Sequence, residues 1–228
     1  MIRKLMFLLG IVLLQTGANA QYYFNDVWQP TLTQQYTQKL FALKVATVTA
    51  TSKDVAGGNT ITIQQRIDPA KKTVTTVTQN GGTQTITRSF YGQTGKLVKQ
   101  TDSSLYNMVT TYYSYNANDQ LDLLKNEVYD AAVQQKDVEE HKWFYKNNLP
   151  VGMVKVKNGT DTSEVKFDID ETARIAQETW VKKGRMQETY YYYYAQNSHL
   201  LTDIVRYNNK AKKLLPDFLY EYDATGQL

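Results

Sequence analysis

Tyr91-Gly92-Gln93-Thr94-Gly95-Lys96-Leu97 is the stretch from which the fold of this sequence can be read. An aromatic residue ends one run of alternating character, a polar turn follows, and a leucine opens the next run. Glycine at the fourth position after the tyrosine supplies the positive φ that a tight turn between strands needs. The spacing returns at Tyr222-Asp223-Ala224-Thr225-Gly226-Gln227-Leu228, at Tyr115 with Asp119 and Leu121, and at Tyr194 with Ser198 and Leu200. Looser copies start at Tyr145, whose shorter turn holds Pro150, at Phe167 with Ile175, and at Tyr207 with Leu214. Each unit reads as a β-hairpin with a variable return loop. A lone hairpin is marginal in water, so such units stack edge to edge to bury a shared face.

The strands continue towards the N-terminus. Val74–Thr78 and Gln84–Thr87 flank Asn80-Gly81-Gly82, a hairpin signal. Ile61 to Ile67 forms a further strand that Asp68-Pro69 stops, because proline cannot donate to a ladder. Gly57-Gly58-Asn59 turns the chain back to Val45–Thr51, which alternates in β-favouring residues. Before that the period changes. Leu32, Tyr36, Leu40 and Leu43 recur at helical spacing, with Thr31 or Thr33 as the expected cap. The aromatic opening Gln21–Trp28 is expected to pack onto the body. The fold class that follows is all-β: an antiparallel meander of stacked β-hairpin repeats, a long twisted or curled sheet, with a short N-terminal helix.

Residues 1–20 read as a secretory leader. Arg3 and Lys4 give the positive start, Leu5–Leu14 an apolar stretch too short to span a bilayer, and Ala18-Asn19-Ala20 a small-x-small cleavage signal. Cleavage is expected between Ala20 and Gln21. The organisation is then leader 1–20, an N-terminal aromatic segment with the helix and first strand over 21–55, and a repeat domain over 56–228 that is expected to be incomplete at its C-terminus, because the chain continues or because a terminal hairpin is missing. The formal charge of +4 falls to +2 without Arg3 and Lys4, too little for a nucleic-acid footprint. The pairs Lys71-Lys72, Lys182-Lys183 and Lys212-Lys213 read as solvated turns. With no cysteine, disulfides, thiolate chemistry and a lipidated N-terminus are excluded. The mature chain carries no transmembrane segment, and the expected location is the periplasm, the outer-membrane surface or the exterior of a bacterium.

The repeat turns resemble those of the YD-repeat (RHS-like) family of secreted and surface bacterial proteins, on the Tyr-Asp-x-x-Gly type of turn followed by leucine at Tyr222–Leu228. The stretch Tyr190–Leu228, with Leu201–Tyr207 and Leu214–Phe218, is also similar to exported proteins of Bacteroidetes. The resemblance covers residues 86–228 and implies an exported β-repeat architecture. Only Tyr222 keeps both the adjacent aspartate and the glycine, and the large closed shells of the family need many more repeats than this chain has.

Eighteen tyrosines against seven phenylalanines make aromatic chemistry the main functional hint, since a tyrosine ring covers a pleated face while its hydroxyl reaches water. Tyr113, Tyr115, Trp143, Tyr145, Tyr190, Tyr192 and Tyr194 form the candidate aromatic binding surface. Alternation puts Tyr190, Tyr192 and Tyr194 on one face of their strand and Tyr191 and Tyr193 on the other. Catalytic readings are weak. His141 and His199 lack metal-ligand spacing, no GxSxG elbow frames a serine, and no glycine loop suits a phosphate. Asp161, Glu164, Asp168, Asp170 and Glu171 lack EF-hand order, and Asp168 and Asp170 alternate with Phe167 and Ile169, which places them on the solvent side of a strand running into a turn. No catalytic residue, metal or cofactor is expected. The leading reading is a non-enzymatic exported scaffold or binding protein whose partner is a protein, glycan or lipid of the cell envelope. The alternatives are a periplasmic lipid or lipoprotein carrier with an apolar cavity and, last, an envelope glycan-active hydrolase. Oligomeric state is left open.

Overall fold

A computed structural model describes residues 21–53, 60–104, 107–196, 198–208 and 211–223. The expected leader, the turn at Gly57-Gly58-Asn59 and the last five residues of the Tyr222 repeat lie outside the described residues. Among the described residues, fourteen antiparallel strands are hydrogen-bonded in sequence order, β1 to β14, and one helical segment precedes them. Two compact units divide the chain: a helix-bearing unit of residues 24–140 and 157–159, and an aromatic unit of residues 21–23, 141–156 and 160–223.

A π-helical stretch, Tyr23–Trp28, runs into α1, Gln29–Ala42, and from Phe24 onward it belongs to the helix-bearing unit. The helix therefore begins earlier than expected, and neither threonine caps it. The Thr31 hydroxyl donates to the Val27 carbonyl (2.6 Å) and Thr33 to that of Gln29 (3.1 Å), one turn back inside the helix. The buried face also differs from the apolar series. Leu43 is 73% exposed, whereas Gln34, Thr37 and Leu40 are buried. Leu40 joins Ile67, Val74, Tyr91 and Leu97, with Tyr36, Phe41 and Tyr113 packed around them. The polar residues dock on tyrosines: Thr37 and Tyr91 share a hydroxyl hydrogen bond of 2.9 Å, and the Gln34 amide donates to the Tyr115 hydroxyl (3.4 Å).

Strands β1 (Thr47–Lys53), β2 (Thr60–Asp68), β3 (Thr73–Asn80), β4 (Thr83–Tyr91), β5 (Leu97–Ser103), β6 (Asn107–Tyr115) and β7 (Leu121–Asp130) follow. Asn80 pairs with Thr83, so the two-residue loop is Gly81-Gly82 rather than Asn-Gly, with Gly81 at positive φ. Asp68 stops β2, as read from sequence. β8 (Gln135–Lys146) and β9 (Leu149–Lys157) lead into β10 (Asp161–Ile169), β11 (Ile175–Lys182), β12 (Arg185–Tyr194), β13 (Leu201–Asn208) and β14 (Lys213–Leu219). Asn147-Asn148, Asn158-Gly159 and Lys183-Gly184 each hold two consecutive positive φ values, the requirement of type I′ hairpin loops.

The repeat turn is a defined object. In Tyr91–Leu97 the Gly92 amide donates to the Lys96 carbonyl (2.7 Å) and the Gly95 amide to Gly92 (3.0 Å). The same two bonds recur as Asn116→Gln120 and Asp119→Asn116, and as Asp170→Arg174 and Ala173→Asp170. Gly95, Asp119 and Ala173 occupy the left-handed position, and a β-bulge falls at Tyr91, Tyr115 and Ile169. The third copy is thus anchored on Ile169 and not on Phe167, which shifts that repeat by two residues. In the fourth copy the anchor Tyr194 pairs with Leu201, and Leu200 is absorbed into a turn one residue longer.

A second constant links successive units. The Tyr115 hydroxyl donates to the Leu97 carbonyl (2.8 Å), Tyr194 to Ile175 (2.8 Å) and Tyr222 to Leu201 (2.7 Å). In each case the tyrosine ending a hairpin bonds the backbone of the aliphatic residue that opens it.

The core of the aromatic unit rests on strict alternation in β10, where Ser163, Val165 and Phe167 point inward and Glu164, Lys166 and Asp168 outward. Trp143 from β8 stacks on Phe167 (5.2 Å, 8°), and Met153, Ile175, Leu201 and Ile204 are buried around them.

Candidate functional site

The seven aromatics nominated from sequence do not form one surface. Trp143, Tyr190 and Tyr192 are buried core residues. The alternation within Tyr190–Tyr194 holds, but it aims Tyr190 and Tyr192 inward and leaves Tyr193 exposed. Tyr115 and Tyr194 are half-buried and serve the backbone locks described above. Burial pushes the Tyr115 phenol up to about 12, against the hydrogen bond from Gln34. The Tyr194 phenol is raised first by burial, then by the neighbouring Tyr23. Tyr113 is half-buried beside the Leu40 cluster, and burial with the Asp26 carboxylate raises its phenol strongly. Tyr145 is half-buried in β8. Within each unit these rings hold the repeat together, because a phenol can fill a core and still spend its hydroxyl on a carbonyl.

The acidic stretch is spread along β10 and its turn. Asp161 pairs with Lys182 (2.7 Å), while Glu164 and Asp168 point outward. Burial alone would raise the Asp170 carboxyl, but hydrogen bonds from Arg174 and Thr172 hold it well below the usual carboxylate range. Among the described residues no group of three or more His, Cys, Asp or Glu could hold a metal ion. His199 is exposed at its turn, and His141 is buried with Tyr22 edge-on to its ring (5.1 Å, 83°).

Two constellations stand out, and neither was read from sequence. The first is a buried carboxylate in the aromatic unit. Glu178 on β11 is 0% exposed. Its two oxygens accept the consecutive backbone amides of Tyr22 (2.9 Å) and Tyr23 (3.1 Å), and the Tyr192 hydroxyl donates to it as well (2.8 Å). Burial and then this carboxylate push the Tyr192 phenol far above its ordinary value. Lys155 donates to the Tyr22 hydroxyl (3.1 Å) and lies over its ring, and Tyr23 packs edge-on to Phe167 and Tyr192. Gln21 is 1% exposed and its amide donates to Asp217 (3.4 Å). Arg206 bonds Asp217 (3.3 Å) and Glu188 (3.0 Å) over the Tyr190 ring. A glutamate inside an alternating strand carries no sequence mark of burial, so the signal that could have found it was only its inward parity with Tyr190.

The second constellation lies on the outer face of β2–β7. Pairing sets Phe90, Lys99, Tyr112 and Lys125 in one cross-strand row and Arg66, Thr75, Arg88, Thr101, Thr110 and Glu127 in the next. The Lys99 ammonium is held between the rings of Phe90 (5.8 Å) and Tyr112 (5.4 Å). Arg66 and Arg88 are exposed, form no ion pair among the described residues, and stand two strand spacings apart, about 10 Å. Lys125 and Lys136 share Glu127, each at 3.1 Å. The face carries more cation than carboxylate and offers directed N–H donors.

No family model matches the chain, and no curated protein does. Among solved structures, the crystal structure of TcdB2-TccC3-Cdc42 aligns over 78% of this chain and 11% of that one, at 12% identity and a TM-score of 0.36. This chain therefore spans about a tenth of the length of that neighbour, and a likeness so low carries no argument about function. No helix among the described residues is long and apolar enough to cross a membrane.

Proposed function

We propose that this chain is a non-enzymatic, exported β-repeat scaffold of the bacterial envelope that binds an anionic partner on the outer face of β2–β7. The observation that carries the reading is the pair of exposed arginines, Arg66 and Arg88, without carboxylate partners among the described residues, beside a lysine clamped between two rings. An ammonium held this way has already lost part of its hydration and side-chain freedom, so pairing it with an anion costs less. The partner class is an acidic glycan: guanidinium forks suit carboxylates, and Tyr112 presents an exposed ring beside them. The leader-like residues 1–20 and the YD-repeat resemblance of the turns support export. A carrier draws less support, since the sheet under α1 is filled by Leu40, Ile67, Val74, Tyr91 and Leu97.

The test is calorimetry of the mature chain with polygalacturonate, a neutral glucan and anionic lipid vesicles, at low and high salt. Salt-sensitive binding to polygalacturonate that Arg66→Glu with Arg88→Glu abolishes is expected. Binding to vesicles alone, equal binding to the neutral glucan, or no change in the double variant would overturn the glycan assignment.

A further inference from the structure

The outer face of β2–β7 is striped, and one stripe beside the arginines is apolar. Same-face residues of a strand stand two positions apart, about 7 Å, so each cross-strand row has a neighbouring row on either side at that distance. On one side of the Arg66–Arg88 row lies the row of Phe90, Lys99, Tyr112 and Lys125. On its other side pairing joins Val77 to Ile86, Ile86 to Ser103, Ser103 to Met108 and Met108 to Tyr129. From Val77 to Tyr129 this row crosses four strand spacings, about 19 Å.

Met108 is 49% exposed and Tyr129 41%, and they are direct cross-strand neighbours. Val77 and Ile86 are half-buried. Ser103 does not break the strip, because its hydroxyl donates to the Ile86 carbonyl (3.3 Å) and its proton is not offered to solvent. One row further out the face turns polar again at Thr62, Gln79 and Gln84. Single exposed apolar side chains are ordinary on a protein surface. Here they share one register and border two guanidinium groups that have no ion-pair partner among the described residues. Asp68 and Glu127, the carboxylates of the two cationic rows, are already taken, the first by Lys71 and the second by Lys125 and Lys136. A cationic row with an apolar row about 7 Å away complements a molecule in which an anionic group is joined to an aliphatic chain.

We propose that the partner of this face is an anionic glycolipid, its acidic sugar on Arg66 and Arg88 and its alkyl chain along Ile86, Met108 and Tyr129. The inference rests on the acidic-glycan reading of the same face and adds the second half of the ligand. Arg88 and Ile86 stand two positions apart on β4, so a sugar seated on the guanidinium delivers its chain directly to the start of the strip. From there the chain lies flat across β5, β6 and β7, over side chains that shed water when it lands.

The test is calorimetry of the mature chain with a galacturonic acid trimer carrying either a methyl or an octyl aglycone, below the concentration at which the octyl compound self-associates. Octyl maltotrioside is the neutral control. Each methylene fully buried is worth about fourfold in affinity, so an octyl chain half-buried on an open strip should bind roughly ten- to a hundredfold tighter than methyl. Its heat-capacity change on binding should also be more negative. Met108→Thr with Tyr129→Thr should erase that gain and leave the affinity for the methyl trimer as it was, which shows at the same time that the variant is folded. Arg66→Glu with Arg88→Glu should weaken both trimers.

Three outcomes would overturn the glycolipid while the acidic-glycan reading stands: equal affinity for the two trimers, a gain that survives in the Met108–Tyr129 variant, or octyl maltotrioside binding as tightly as the octyl trimer. No binding of either trimer, or binding indifferent to the arginine pair, would overturn the acidic-glycan reading and this inference with it.

Discussion

Beneath α1 the helix-bearing unit closes its sheet with Leu40 on an aliphatic cluster and with Gln34 and Thr37 on tyrosine hydroxyls. The aromatic unit closes its inner face with Trp143 stacked on Phe167 and with the amides of Tyr22 and Tyr23 on one buried carboxylate. Both units nevertheless use the same turn, the same bulge beside its anchor and the same tyrosine-to-carbonyl lock. The difference teaches that the repeat specifies backbone only. Turn, register and lock depend on local hydrogen bonds that any unit can copy, whereas the cover of each inner face is a separate solution, uncharged in one and partly ionic in the other.

The largest effects are expected where those covers are cut. Trp143→Ala should cost about 3–5 kcal/mol and Leu40→Ala about 2–5 kcal/mol, each through the lost contacts and the cavity left behind. Denaturant unfolding gives the sums, and hydrogen exchange gives the place. Protection should fall in β10–β12 for the first variant and in β2–β5 for the second. A variant that leaves its own strands protected would break the assignment of that residue as the centre of its cover.

The difference also decides what could be read beforehand. Hairpin repetition, the meander and the existence of an N-terminal helix followed from turn residues and period-two alternation, because those are local signals. The helix face did not follow: Gln34 and Thr37 look like solvent residues until the hydroxyls of Tyr115 and Tyr91 are brought to them. Phe167 reads as an anchor because it is aromatic, while the turn geometry belongs to Ile169, with Ala173 in a left-handed position that sequence rules reserve for glycine or asparagine. Tyrosine density suggested a binding surface, yet Trp143, Tyr190 and Tyr192 are interior, since pattern alone gives parity and not which parity faces in. Glu178 was invisible for the same reason. The Arg66–Thr75–Arg88 row needs the register of three strands, which no single segment contains.

The locks sharpen the comparison at an intermediate scale. Tyr194→Phe should cost about 1 kcal/mol, the net value of one hydrogen bond with its carbonyl left unpaired. Tyr115→Phe should cost somewhat more, because Gln34 loses its acceptor in the same step. Equal losses would mean that the helix contact adds nothing to the turn.

Acid separates two copies of the turn. Asn116 Oδ1 accepts the amides of Asn118 (2.9 Å) and Gln120 (3.0 Å), and Asp170 Oδ1 accepts those of Thr172 (2.9 Å) and Arg174 (3.0 Å). Only the second is ionised. The Asp170 carboxyl is depressed in the folded chain, so its contribution is present above the unfolded value of about 3.9 and is lost as pH falls below it. Exchange protection at Thr172 and Arg174 should drop below about pH 4, while Asn118 and Gln120 keep theirs. Parallel loss at both turns would show general acid unfolding instead.

The smallest effect is the most exacting. Gly95 and Ala173 hold equivalent positions, with φ of 79° and 63°. A Cβ at Gly95 would lie 2.9 Å from Gln38 Nε2, the tip of a flexible side chain that can move, so the cost of Gly95→Ala is mainly the left-handed backbone, about 1–2 kcal/mol. Ala173 already bears that strain, and the four hydrogen bonds that Asp170 accepts from Thr172 and Arg174 hold it there. Ala173→Gly should therefore stabilise, by about 0.5 kcal/mol once the entropy of the freer unfolded glycine is subtracted. Opposite signs at the two positions, measured by chemical denaturation, confirm one turn in two sequences. A loss at both would mean that the methyl of Ala173 makes a contact that the turn needs, and that the third copy is only superficially the same.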